Sequence, residues 1–318
     1  MDTYIKQYIK ERSNLRKSAP KFYDDSLISI TTFYLLNNQI QANYKYIKAS
    51  YKQLLLTPLF KNDEINNFIC AVELATCENT KHLISKYITI YQYLKDDYDF
   101  SLQRNYLTHL LVQTSTFEDY YDIIKNITNQ RVLFNEKSNL SKDDNWIHNY
   151  LLYYFNKDFS MSNYNHIFNY TNLKIKNILI SDMIATIMSI QNNTILIYVD
   201  KFLDLLSMFE KKSILYNDNE QLAILFILSQ KIDNDILFKK LIDIDGKLNF
   251  QKGYGMFGMT NQDRLIHSAI ILAQYLEIDP DLIRVALIFA TISEFQLSVE
   301  DTLQFSNKII VDNNLNTL

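Results

Sequence analysis

Glycine and proline are nearly missing from this chain: 4 and 3 residues among 318, where average usage would supply about 22 and about 16. All four glycines, Gly246, Gly253, Gly255 and Gly258, fall in one short stretch, so residues 1–245 turn without any. Sandwiches, barrels and doubly wound α/β folds need such residues at many tight turns and positive-φ positions. The scarcity argues against all of them. Cysteine is also scarce, with only Cys70 and Cys77. Seven residues along one helix separate two side chains by roughly 10 Å, too far for a disulfide, and two thiols are too few for a structural zinc site. They read as buried thiols of a reducing compartment. No apolar run approaches the ~18 residues of a membrane span. Met1 to Lys6 lack the apolar core of a cleaved signal, so a cytoplasmic location is expected.

Charge of one sign is missing as well. Thirty-two basic and 36 acidic residues give a formal charge of −4, which offers no field for nucleic acid or an anionic membrane. The 23 Tyr and 19 Phe form stripes at helical spacing and read as core. Stacking platforms for single strands need interleaved Arg and Lys, and beyond residue 21 these are sparse.

What is present is helical periodicity. Ile84, Tyr87, Ile88, Tyr91 and Leu94 follow one buried helix face, as do Tyr120, Ile123, Ile124 and Ile127, and Phe202, Leu205, Leu206 and Phe209. Further apolar helices are expected at 25–36, 41–56, 65–74, 106–112, 146–155, 181–190, 221–228, 265–276 and 285–292. Anchored at Ile65, Arg104, Trp146, Ser181, Gln221 and Asp263, they recur at intervals of roughly 40 residues, the length of a two-helix unit. The expected fold is therefore all-α: about six stacked helical hairpins, forming an α-solenoid-like array or an irregular helical bundle. Residues 1–60 form an N-terminal helical cap, residues 61–250 the hairpin repeats, and residues 251–318 the Gly-rich loop and C-terminal helices packed on the same array. Thr260 with Asp263 has capping-box spacing, as do Thr116 with Asp119, Ser141 with Asp144, Asp218 with Gln221 and Ser298 with Asp301. Without glycine, the C-terminal breaks fall to residues such as Asn79, Asn156, Asn192 and Asn193, since Asn tolerates the left-handed cap best after Gly. The basic start (Lys6, Lys10, Arg12, Arg16, Lys17 and Lys21 against Asp2 and Glu11) reads as a solvated surface.

Leu56-Thr57-Pro58-Leu59-Phe60 before an apolar helix, and Leu133-Phe134 leading through Ser141-Lys142-Asp143-Asp144 into another, resemble an uncharacterised all-helical family of low-GC Gram-positive bacteria, known as a domain of unknown function. The resemblance spans roughly residues 55–275. It implies a cytoplasmic helical protein and brings no catalytic residues.

Few residues suggest chemistry. Gly253-Tyr254-Gly255-Met256-Phe257-Gly258 spells GxGxxG, yet the strand that a dinucleotide site needs before it is missing. A connection between hairpins is the better reading, and no cofactor is expected. Behind this loop, a helix N-terminus carries Asp263, Arg264 and His267, the best polar cluster in the chain. Asp263 and His267 share a face at i, i+4. Asp263 also serves a capping box, and that structural role is favoured. The five histidines show no paired metal spacing, and Asp243-Ile244-Asp245-Gly246 fails as a calcium loop because Leu241 and Lys252 stand where ligands should be. No metal is expected. Three functions remain, one of them a purely structural or assembly role. The first is a protein- or peptide-binding module. The alternative is a small-molecule enzyme or ligand sensor whose pocket uses Gly253, Gly255, Gly258, Asp263, Arg264 and His267.

Overall fold

The structure is a computed structural model. It describes residues 1–20, 25–37, 39–56, 64–76, 80–97, 160–175, 177–191, 193–214, 219–255, 259–279 and 282–283, with single positions between 108 and 129. Every regular element among them is a helix. In order these are α1 (Asp2–Ser18), α2 (Asp25–Asn37), α3 (Tyr44–Leu54), α4 (Glu64–Thr76), α5 (Thr80–Asp97), α6 (Met161–Ile175), α7 (Ile178–Ile190), α8 (Ile197–Lys211), α9 (Asn219–Lys231), α10 (Asn234–Asn249) and α11 (Asn261–Tyr275). The expected helices at 106–112, 146–155 and 285–292, and the stripe of Tyr120 to Ile127, fall wholly or largely outside the described residues.

Consecutive helices pair: α1 with α2, α3 with α4, α6 with α7, α8 with α9, and α10 with α11. The partners within these hairpins differ in kind. In α8 a single face is buried, through Val199, Phe202, Leu205 and Phe209, as its amphipathic pattern demands. Its neighbour α9 is buried on every face from Gln221 to Ser229, because it touches α7, α8, α10 and α11 together. Phe202 meets Phe226 edge-on at 5.3 Å and Phe209 meets Phe238 at 5.0 Å. Each such ring removed from water contributes roughly 1.5–3 kcal/mol. Likewise α7 is buried from Ser181 to Ser189 and α11 from Arg264 to Gln274. A polar side chain in such a helix needs a partner, and buried Asp182 of α7 receives the hydroxyl of Tyr164 from α6. In α5 the buried face runs through Tyr87, Ile90, Tyr91 and Leu94, with Ile88 half-buried. Cys70 is buried in α4, and Cys77 lies outside the described residues.

One packing joins distant parts of the chain. Helix α11 lies against α1 and α2 as well as against α9 and α10, so the first described hairpin sits directly on the last.

The helix ends show how a glycine-poor chain turns. Gln39, Ser213 and Glu277 each have φ +53°, the left-handed conformation that glycine usually supplies. In each case the next residue, Ile40, Ile214 or Ile278, sends its N–H back across the turn to Leu35, Phe209 or Ala273. This is the Schellman pattern, in which the residue after the left-handed one also packs on the last helical turn. Of the asparagines expected at such breaks, Asn193 follows one, while Asn79, Asn156 and Asn192 lie outside the described residues. Asn43 is instead an N-cap, accepting from the Tyr46 N–H at 3.1 Å. Ser213→Gly relieves the strain of a side chain at φ > 0, offset in part by the greater freedom of glycine in the unfolded chain. Ser213→Gly should raise stability by roughly 0.5 kcal/mol, and Ser213→Val should lower it by more, both read from urea midpoints.

Candidate functional site

The polar cluster near residue 264 is taken up by the fold. Thr260 caps α11, its Oγ1 accepting from the Asp263 N–H at 3.1 Å and donating to the Asp263 carboxylate at 2.8 Å. One turn on, Arg264 is 6% exposed. Its Nε and Nη2 donate to the Asp245 carboxylate at 2.7 and 3.2 Å, its Nη1 to the Tyr254 carbonyl at 3.0 Å, and its Nη2 also to Asn261 at 2.8 Å. The guanidinium thus ties α10, the Gly-rich loop and the start of α11 together. The glycines serve that loop. Gly253 takes φ +89°, and at Gly255 a Cβ would come within 2.8 Å of the Asn249 carbonyl oxygen. Between them Tyr254 turns inward and is 3% exposed. Gly258 lies outside the described residues.

His267, one helical turn past Arg264, reaches the N-terminal hairpin. The Asp25 carboxylate of α2, which can only accept, stands 3.3 Å from Nε2 and so assigns the ring proton there, which makes Nδ1 the acceptor for the Tyr8 hydroxyl of α1 at 2.6 Å. Tyr8 and Tyr254 meet the imidazole edge-on at 5.6 and 5.5 Å. Asp25 also accepts from Arg12 and, at 2.6 Å, from Arg16. The Arg12 guanidinium stands 5.5 Å from the centre of the Tyr254 ring. The basic start of the chain is therefore not all solvated surface: the Arg12 side chain is 12% exposed, held in this seam between the first and last described hairpins.

Burial drives His267 below the ordinary imidazole value, against the pull of the Asp25 carboxylate. Burial would raise Asp25, but hydrogen bonds from His267 and Arg12, with the Arg12 charge, outweigh it and hold the carboxyl well below the usual range. Both values are depressed on folding. Their stability is therefore fully present above the unfolded values and lost as pH falls, first below about 6.5 for the histidine and then below about 3.9 for the aspartate. Denaturant titrations from pH 8 to 4 should show stability falling through the first window. His267→Gln should flatten that part of the curve, and an unchanged slope would remove His267 as its source.

A cleft of about 960 Å³ opens beside this seam, between α1 from Thr3 to Asn14, the C-terminal ends of α2 and α11, and the start of α3. Its walls are rich in carboxamides, with Gln7 and Asn14 from α1, Gln39 and Gln41 from the turn after α2, and Gln274 from α11. Tyr4 and Tyr44 add aromatic surface, and Tyr4 is fixed edge-on against Tyr275 at 5.7 Å. Glu11 and Glu277 supply carboxylates. Glu11 accepts the Tyr44 hydroxyl, and partial burial raises its carboxyl above the ordinary value despite Lys10 beside it. Gln274 is 7% exposed, and its Oε1 has no hydrogen-bond partner.

No family model, no curated protein and no solved structure matches this chain. Its site is read from its own geometry. Among the described residues no three His, Cys, Asp or Glu side chains could hold a metal ion, and no described helix is long and apolar enough to cross a membrane. The expected site residues divide. Arg264 holds the Tyr254 carbonyl and His267 meets the Tyr254 ring, each occupied by internal partners, and Asp263 is exposed at the cap. The cleft residues escaped the sequence reading. Their signal was a run of amides and isoleucine around one helix break, Asn37 to Ala42, with Gln274 at another.

Proposed function

We propose that this protein is a peptide-binding module built on stacked helical hairpins, and that the cleft between α1, α2 and α11 is its binding site. The carrying observation is the cleft's lining. Carboxamides stand on both sides of it, Gln7 and Asn14 on α1 facing Gln39, Gln41 and Gln274. A carboxamide offers both an N–H donor and a carbonyl acceptor, the same pair that each unit of an extended peptide presents. Tyr4 and Tyr44 add flat surface with a polar tip, which suits contact with a partially hydrated chain. The direct packing of α11 on α1 and α2 supports a closed arrangement of about six hairpins over an open solenoid, with the cleft at the closure. The reading that places a small-molecule pocket at Arg264 and His267 has less support, because both groups are buried and engaged.

Selection of random heptapeptides displayed on phage tests the proposal. Recovered peptides should bind the purified protein and lose at least tenfold in affinity to Gln41→Trp, at an exposed position on the cleft wall, with the melting temperature unchanged. Peptides that bind both proteins equally would displace the site, and a selection without enrichment would overturn the function.

A further inference from the structure

We infer that the cleft selects a peptide carrying a cationic side chain, the ammonium group of lysine, and seats that group between Glu11, Glu277 and the C-terminal ends of α2 and α11. The inference rests on the peptide-binding reading and adds the chemistry of the residue that is recognised.

Three independent features point the same way. First, two helices end at this cleft, with Leu35 to Asn37 and Gln274 to Ile278 among its walls. Helix C-termini carry partial negative charge, which attracts cations. The Schellman turns return N–H groups to Leu35, Leu36, Ala273 and Gln274, and the Leu276 N–H goes to Leu272, so the helix ends act on a ligand through their partial charge. Second, two carboxylates stand on the walls against Lys10, the one cation lining the cleft among its described residues. Third, the Gln274 side chain is more than nine-tenths buried and its Oε1 receives no donor. A buried acceptor without a partner costs roughly 1–3 kcal/mol until one arrives. Two carboxylates and one unpartnered oxygen thus stand against a single ammonium, and the complementary ligand brings several donors and a positive charge. A lysine ammonium has three donors and no acceptor. Its flexible four-carbon stem lets the charged head reach past Tyr4 and Tyr44 while the stem lies on their rings.

The test uses three end-blocked heptapeptides of Ala, Asn and Gln that differ only at the centre, which is lysine, ε-acetyl-lysine or glutamine. Affinities are measured by calorimetry on the full chain. The lysine peptide should bind at least tenfold more tightly than the other two. Glu11→Gln with Glu277→Gln should bring that ratio near one. A carboxamide at position 11 still accepts from Tyr44, so the fold is kept, as the melting temperature would report. Gln274→Leu, close in volume, should weaken the lysine peptide selectively. Equal binding of all three peptides would overturn the cation inference and leave the peptide-binding reading standing. A lysine preference unchanged in the Glu11→Gln/Glu277→Gln protein would overturn the seat assigned to the ammonium. Failure of all three to bind would overturn both readings.

Discussion

Arg264→Ala should lower the stability of the protein by about 3 kcal/mol, the low end for removing one partner of a buried ion pair. The low end applies because the Asp245 side chain is 25% exposed and so partly solvated when left behind, whereas the Arg264 side chain is 7% exposed. Two further acceptors, the Tyr254 carbonyl and Asn261, lose their donors in the same change. Arg264→Lys keeps the charge but not the planar fork that reaches three partners at once, and should recover less than half of the loss. Guanidinium denaturation of the three proteins at pH 7 decides the point. A loss under about 1 kcal/mol for the alanine variant would show that the clamp is dispensable and would return Arg264 to the list of groups available for a ligand.

Asp25→Ala should be comparably damaging, at about 2–4 kcal/mol, because it strands a cation. Arg12 keeps 12% of its side-chain surface exposed and cannot recover its lost partner from water. Arg16, at 44%, can. His267 loses the acceptor for its ring N–H in the same step. A double-mutant cycle isolates the pair. Arg12→Met replaces the buried cation with an apolar chain of similar reach, so Asp25→Ala should cost much less in the Arg12→Met background than in the wild type. Additive losses would mean that Asp25 acts through Arg16 or His267 and not through Arg12. Since Arg12, Asp25 and His267 come from α1, α2 and α11, hydrogen exchange in the Asp25→Ala protein should rise first where these helices meet.

The arginines of the N-terminal helix illustrate the limits of a linear reading. Lys6, Lys10, Arg12, Arg16 and Lys17 look alike as a charge run, and most such runs are solvated. Whether one of them is buried depends on what lies above that turn of the helix, and here it is Tyr254, a residue 242 positions further on in the chain. The Gly-rich segment shows the converse. Its GxGxxG pattern spells a dinucleotide loop, but Gly253 and Gly255 have local duties, one in a left-handed turn and one in close approach to Asn249. A motif made of small residues records only that the backbone needed freedom there.

The helical class was settled by the sequence, because helix formation and turn chemistry are local. A chain with 4 glycines and 3 prolines has few residues suited to hairpin turns, and apolar side chains spaced at 3.6 residues can bury together only on a helix. The Thr260 cap was equally legible, since donor and acceptor lie three residues apart. The seam and the cleft were not. Tyr8 and His267 are separated by 259 positions, and a hydrogen bond across that distance leaves no periodic trace in either segment. Nor does any pattern announce that Gln39 and Gln274 line one cleft. Only the docking of α11 onto α1 and α2 brings the two helix ends together, and that docking is decided by complementary side-chain packing summed over the whole interface, to which no single residue is the key.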